Sequence, residues 1–274
     1  MKRLINEIPS KTTNIFLGLL PFLLIVIVYI GSSNARLAEN PNDKLLPSIE
    51  KCIESMSKLA FEEDKRTGSY ILYDDTVSSL KRLALGVGIS AVIALVVGIS
   101  IGVIPMITST LSPLIWFFSL IPTMAILPIL FIVFGLGEIS KVVLIILGIT
   151  PIMIRDIYQR VREIPSEQII KVQTLGANTW QIITRVVTPQ IFPRLIDSIR
   201  LTLGTAWIFL ISAEAIAATE GLGYRIFLVR RYLAMDVILP YVVWITLLAF
   251  LIDFVLRQFN QKLFPWFGKE WLWD

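Results

Sequence analysis

Apolar residues fill six long blocks of the chain, and the polar intervals between most of them are short. The blocks cover 14–31, 78–104, 111–134, 139–156, 195–218 and 238–259. Each approaches the roughly 20 residues that a helix needs to cross a hydrocarbon core about 30 Å thick. The pattern predicts an all-α integral membrane protein with about six transmembrane helices. Residues 1–31 would hold a short tail and the first span, and 32–75 a polar excursion. Residues 76–262 would hold the remaining spans, with a loop at 157–193, and 263–274 a C-terminal tail on the same side as that loop.

The blocks differ in texture. The second is rich in small residues, Gly86, Gly88, Ser90, Gly98, Ser100 and Gly102, which let helix backbones approach closely in lipid. The third is interrupted at "LIPTMAILP" by Pro122 and Pro128, each of which removes a backbone donor. A helix broken in the membrane is tolerated where it faces protein or a water-filled cavity. The first block also has the makings of a secretory leader, with a weak cleavage point at Ala35, but its apolar run to Ile30 covers the length of a span. In 32–75, Ile49, Ile53, Met56, Leu59 and Ala60 recur at helical spacing, as expected of an amphipathic helix along the membrane surface; a disordered tether is the alternative.

The long polar interval lies between the fourth and fifth blocks. Its apolar positions, Ile170, Val172, Leu175, Trp180, Ile182, Ile183 and Val186, fit two short helices parted at Gly176. Glycine suits a helix end with positive φ. Asn178 or Thr179 can cap the second helix, and Pro189 and Pro193 are expected to end it before the fifth span. The product is a helix–turn–helix knob whose apolar side chains call for a partner groove.

Composition removes several chemistries. The chain of 274 residues is 55% hydrophobic and 17% charged, against about 25% charged in soluble domains. It has no histidine and one cysteine, Cys52, so neither a Cys–His catalytic pair nor an intrachain disulfide can form. A net charge of +4 without a basic block gives no sign of nucleic-acid binding. Charge asymmetry places both termini and the knob on the cytoplasmic side. The 32–75 excursion carries six bases against nine acids and the 219–237 loop three bases, while Arg155, Arg160, Arg162, Lys171, Arg185, Arg194, Arg200, Arg257, Lys262 and the terminal bases fall on the opposite side.

The knob sequence "IKVQTLGANTWQIITRVVTP" resembles the cytoplasmic loop of importer-type ABC transporter permeases, whose pattern is Glu-Ala-Ala, three residues, Gly, nine residues, Ile-x-Leu-Pro. Gly176, Val186 and Pro189 match at the right spacing. Ile170, Lys171 and Val172 stand in place of Glu-Ala-Ala, and Thr188 replaces the leucine. "LLPSIEKCIESM", "IPTMAILPILFIVFGLGEISKVVLI" and "AEAIAATEGLGYRI" are similar to segments of the nitrate/sulfonate/taurine/bicarbonate branch, in the same order over about 41–265. The resemblance implies a type I importer permease in a bacterial inner membrane. It would work as a homodimer with two cytoplasmic ATPase subunits and an extracytoplasmic substrate-binding protein. ATP and magnesium would sit on the ATPase, since this chain lacks the Gly-x-x-x-x-Gly-Lys-Ser/Thr loop. Leu175, Gly176, Ala177, Trp180 and Pro189 would form the coupling surface.

Candidates for the substrate path are Trp116, Pro122, Thr123 and Met124 around the broken third span, with Trp207 and Glu214 in the fifth. A carboxylate inside a span is a functional candidate by default, although Glu214 equally suits a role in helix packing. Asp253 is expected to pair with Arg257 one turn on. Arg225, Arg230 and Arg231 are placed to meet an acidic binding protein or to stay solvated. Lys81, Arg82 and Lys141 fall near span ends, which leaves no base deep in the core and mildly favours a cationic or neutral solute. The stretch from Ile211 to Arg257 also looks like permeases associated with urea- or guanidine-carboxylating enzymes, for which Glu214 beside a tryptophan would suit a guanidinium. An ATPase-independent secondary transporter is the competing class; it would be expected to show internal repeats or paired intramembrane ionisable residues.

Overall fold

The computed structural model describes residues 10–41, 43–64 and 68–267. Lys2, Arg3 and Lys269, which are among the terminal bases, lie outside them. The described chain is a helical bundle: α1 Lys11–Glu39, α2 Ile49–Phe61, α3 Ile71–Val103, α4 Pro105–Ser119, α5 Thr123–Phe134, α6 Glu138–Arg162, α7 Ser166–Thr174, α8 Thr179–Ile182, α9 Thr188–Ala217, α10 Leu222–Arg230 and α11 Met235–Leu263.

Four helical stretches among the described residues are long and apolar enough to span a bilayer: α1, α3, the run Thr179–Ala217 and α11. The third apolar block is a bent pair instead of a straight span. α4 and α5 meet at 94°, and the chain turns over 120–122, where Pro122 precedes the first turn of α5. Pro128, by contrast, lies within α5 without breaking it. The remaining block is α6, whose 25 residues reach about 37 Å at 1.5 Å per residue. Charged residues crowd both its ends, so its apolar stretch is short, yet it is the helix on which α3, α5 and α9 all pack.

The packing of α3 on α6 explains the small residues. Gly86, Ser90, Ala94 and Gly98 recur every fourth position along the buried face of α3. The two helices run parallel and in register: a Cβ on Gly86 would come within 2.7 Å of Ile145, and one on Gly98 within 2.7 Å of Ile157. The opposite stripe of Leu85, Ile89, Val92 and Val96 is exposed, as a lipid- or partner-facing surface is. Gly88 lies off the contact and has open space around it.

α1 stands apart, with no residue of its apolar stretch buried by the rest of the chain. Its far end is tied to the chain leading into α2, where Tyr29 donates to the Pro47 carbonyl (2.7 Å) and Ser33 to that of Leu46 (3.0 Å). α2 packs through Met56, Leu59 and Ala60 and ties Ser55 to Asp236 at the start of α11 (2.6 Å), while Ile49 and Ile53 face outward. Cys52 is half-buried on this helix, and burial pushes its thiol up, which keeps it neutral.

Two expectations are corrected at the other end of the bundle. Pro189 and Pro193 do not end a helix. The chain runs from α8 through a π turn at Ile183–Val187 into α9 as one long helix. Within that turn the Thr188 N–H and hydroxyl both bond the carbonyl of Ile183, five residues back. The wider turn absorbs the ladder bond that Pro189 cannot make, and Pro193 lies inside α9 without ending it. Asp253 does not pair with Arg257 either. It takes Arg200 of α9 at 2.7 and 3.2 Å, because a bidentate guanidinium across the helix interface is a better partner than a solvated one on its own helix.

The α3–α6 contact makes a paired prediction. Gly98→Leu forces side-chain atoms against Ile157 and should lower stability by about 1–3 kcal/mol. Gly88→Leu on the same helix should change little. Thermal melts of the two purified variants in detergent check the contrast; equal melts would mean that the α3–α6 spacing is not set by the glycine stripe.

Candidate functional site

The knob is built by local rules. α7 ends in paired bonds, from the Ala177 N–H to the Val172 carbonyl (3.2 Å) and from the Gly176 N–H to that of Gln173 (2.9 Å). This Schellman arrangement needs a left-handed residue, supplied by Gly176 at φ +84°. Asn178 then starts α8 with a capping box: its Oδ1 accepts from the Gln181 N–H (2.8 Å), and its own N–H reaches Gln181 Oε1 (2.9 Å). Gln190 of α9 holds α7 in place through Gln168 (3.3 Å).

This geometry sorts the coupling residues. Leu175 and Trp180 are 79% and 71% exposed at the tip, with Gly176 exposed between them. Ala177 turns inward and packs with Val172 on the bundle, and Pro189 lies exposed at the start of α9. Sequence position had placed Ala177 on the outer face. As the second residue past the helix end in a Schellman turn, it covers the helix it comes from.

The path candidates fall into two groups. Trp116, Pro122, Thr123 and Met124 stand at or beside the α4–α5 elbow, with Trp116, Pro122 and Met124 exposed and Thr123 partly so. Arg155 of α6 donates to Ser119 there (3.1 Å). The first turn of α5 has no side-chain cap; the Ala125 N–H bonds the Pro122 carbonyl (2.8 Å), and no side chain serves the Thr123 and Met124 donors at the elbow. Trp207 and Glu214 are instead enclosed by the helices of this chain.

Glu214 is 0% exposed and fully engaged. Oε1 accepts from Arg82 (2.7 Å) and Ser79 (2.8 Å), and Oε2 from the Gly223 N–H (2.8 Å). Around it the start of α10 is threaded onto α3. The Gly221, Leu222 and Gly223 N–H groups donate in turn to Asp75 (2.9 Å), Ser79 (2.9 Å) and Glu214. The orphan donors of a helix N-terminus are thereby met by side chains from α3 and α9. Gly221, at φ +125°, is required: a Cβ there would fall 2.6 Å from the Glu214 carboxyl carbon and 2.7 Å from Arg82.

The network continues outward. Arg82, 3% exposed, holds Glu138 at the start of α6 (2.5 and 2.9 Å), and Lys141 closes on Glu138 at 2.7 Å. Arg225 turns in to Asp75 (2.8 Å), which also accepts from the Tyr241 hydroxyl (3.1 Å). With Glu220 at 3.8 Å from Arg82, four carboxylates thus meet three cations. Two expectations from the sequence change as a result. Arg82 and Lys141 lie near helix ends but inside the bundle. Arg225 is held by a buried carboxylate that needs a charge of opposite sign, which leaves Arg230 and Arg231 as the exposed bases of that loop.

The fold, the exposed knob and the bent α4–α5 pair define a multi-pass transport component. The chain belongs to the family described as binding-protein-dependent transport system inner membrane component, whose model matches residues 92–266. It is 32% identical to the taurine transport system permease protein TauC of Escherichia coli (strain K12), over 82% of this chain and 81% of that one. It is 28% identical to the bicarbonate transport system permease protein CmpB of Synechococcus elongatus, over 86% and 84%. A putative aliphatic sulfonates transport permease protein, SsuC of Bacillus subtilis, is also 28% identical, over 76% and 75%. Among solved structures, an inward-facing form of the MetNI methionine ABC transporter superposes with a TM-score of 0.64 over 73% of this chain and 98% of that one, at 22% identity. That likeness establishes the shared fold.

Removing one member of a buried ion pair strands the other. Arg82→Ala should therefore cost about 3–5 kcal/mol, and the double change Arg82→Leu with Glu214→Leu should cost clearly less than Arg82→Ala. Melting temperatures of both variants in one detergent test this; a double variant no better than the single would mean that the pair contributes as packing volume alone.

Proposed function

We propose that two copies of this chain form the translocation path of an ATP-driven importer, with the knob seated in a groove of a separate cytoplasmic ATPase. The observation that carries this reading is the pair of large apolar side chains, Leu175 and Trp180, held outward at a turn that two capping motifs make rigid. An exposed aromatic on a preorganised turn is the kind of group that anchors an interface. An ATP-dependent movement of the ATPase can favour one arrangement of the permease pair only through contacts that differ between states, and the knob supplies them. Both termini then lie in the cytoplasm, together with α7, α8 and the inner end of α11. The Arg82–Glu214 end faces the substrate-binding protein, to which the exposed Arg230 and Arg231 are available.

The solute is a small polar one of the sulfonate and bicarbonate kind that the similar permeases are named for. A guanidinium solute has lost its main support, because the Glu214 carboxylate is already saturated by Arg82, Ser79 and Gly223. The elbow is the natural contact for an oxyanion: it combines Arg155, Thr123 and the uncapped α5 N-terminus. Trp116 and Met124 would line its apolar side.

Gly176→Arg tests the coupling surface. A Cβ at this position meets nothing within 4 Å, so the change adds only local backbone strain of about 1–3 kcal/mol and projects a charge from the tip. Trp180→Ala removes the anchor without strain. Affinity purification of tagged chains in gentle detergent should bring an ATP-binding subunit down with the parent chain. The subunit should be lost with Gly176→Arg and reduced at least tenfold with Trp180→Ala, while all three chains remain helical by circular dichroism. A chain that purifies alone in its parent form would point to an autonomous transporter.

A further inference from the structure

The knob end of the bundle holds a cavity of about 400 Å³ that neither the knob tip nor the elbow uses. It opens between α6, α9 and α11, and Phe267 closes one side. Four arginines line it: Arg160 from α6, Arg194 and Arg200 from α9, and Arg257 from α11. The two carboxylates in its wall are already engaged, since Asp253 and Asp197 both hold Arg200, at 2.7 and 3.3 Å. Arg160 has looser partners, Asp156 at 3.5 Å and Glu163 at 3.4 Å.

Among the described residues Arg194 and Arg257 have no carboxylate partner. Arg194 stacks on the Phe267 ring at 4.7 Å, which leaves its guanidinium edge free. Asn260, 7% exposed in the cavity wall, gives its amide N–H to the Pro193 carbonyl and to Asp197, both at 3.1 Å. Its carbonyl Oδ1 is buried without a donor. Among the described residues the cavity therefore lacks negative charge for two guanidiniums.

We propose that this cavity is a headgroup site for an anionic phospholipid of the leaflet on the knob side. Its phosphodiester would lie between Arg194 and Arg257. Guanidinium forks match phosphate oxygens in geometry as well as charge, and basic pockets between spans at this depth suit acidic headgroups. The surroundings favour a lipid over a free phosphate ion, which shares the anion chemistry. The cavity has the size of a small-molecule site. Leu201 at its rim, and Phe250 and Phe254 further along α11, are exposed apolar residues that an acyl chain can cover. Trp266 and Phe267 sit where aromatic side chains mark the membrane interface. An adjoining cavity of about 270 Å³ shares Arg160 and Arg194 and reaches Gln190, so an occupant would brace α6, α9 and α11 at the root of the knob.

The test uses the purified full chain, stripped of lipid and supplied with phosphatidylglycerol or phosphatidylethanolamine of the same acyl chains, with retained lipid counted by native mass spectrometry. Phosphatidylglycerol should be retained at least tenfold over phosphatidylethanolamine. That preference should vanish in Arg194→Gln/Arg257→Gln and in the single, exposed-site Arg257→Glu, with circular dichroism melts unchanged for the latter. Arg230→Gln/Arg231→Gln, at the opposite end, should retain the preference. No headgroup preference in the parent chain, or an equal loss in the Arg230/Arg231 variant, would overturn the site. If millimolar inorganic phosphate displaces the lipid and stabilises the chain as strongly, the site binds a soluble anion and the lipid assignment fails.

Discussion

The charge of Arg82 sits among helices that hydrocarbon surrounds, so it has to be answered inside the protein, and the answer fixes where four other helices go. A buried ion costs several kcal/mol of desolvation that only close, well-hydrogen-bonded partners offset. Arg82 on α3 finds them in Glu138 of α6 and Glu214 of α9, and Glu214 in turn accepts from the start of α10. Asp75, two turns further out on α3, reaches α11 through Tyr241. In lipid the burial of apolar side chains gives helices little reason to choose one neighbour over another. The polar network supplies that choice, and the glycine stripe on α3 sets how closely α6 can approach.

The helix that carries Glu214 also carries the knob. From Thr179 to Ala217 the chain is one helix with a π turn near its beginning, and Trp180 and Glu214 stand near its two ends. A displacement imposed at Trp180 thus has a continuous rigid element along which to act, and the π turn is the place where it can flex, because two prolines and a five-residue hydrogen bond already loosen the ladder there. α7 is tied to it by the Gln168–Gln190 hydrogen bond. The elbow between α4 and α5 lies against the knob-side half of α6, within reach of Arg155, so motion at the root of the knob would have a short route to the broken helix.

The turn of the knob was legible in the sequence, because a capped turn is a local structure: Gly176 and Asn178 act on residues three to five positions away. The glycine stripe was legible as small residues and became informative only when α6 supplied Ile145 and Ile157. The charge network around Arg82 was hidden. Asp75, Ser79 and Arg82 share one face of α3 at spacings of four and three, a signal present in the sequence, yet their partners lie more than fifty residues away and nothing local names them. Glu214 was visible as a carboxylate in a span; its engagement was not, since that depends on Arg82 and Ser79 of α3 and on the Gly223 N–H, which only the Gly221 turn brings to it. Pairing at i+4 misled for Asp253, where a tertiary guanidinium outcompeted the helical neighbour.

The two ends of the bundle handle charge in opposite ways. At the Arg82 end, four carboxylates face three cations, and the buried Gly221, Leu222 and Gly223 donors at the start of α10 each have an acceptor. At the knob end, Arg194 and Arg257 have no carboxylate partner among the described residues, and large apolar side chains project from the turn. Unsatisfied groups are expensive in isolation, and they are the groups through which something outside the chain can change its energy. A bundle closed at one end and open at the other can be moved from the open end without losing its order, because whatever binds there acts on free valences and leaves the network that specifies the fold intact.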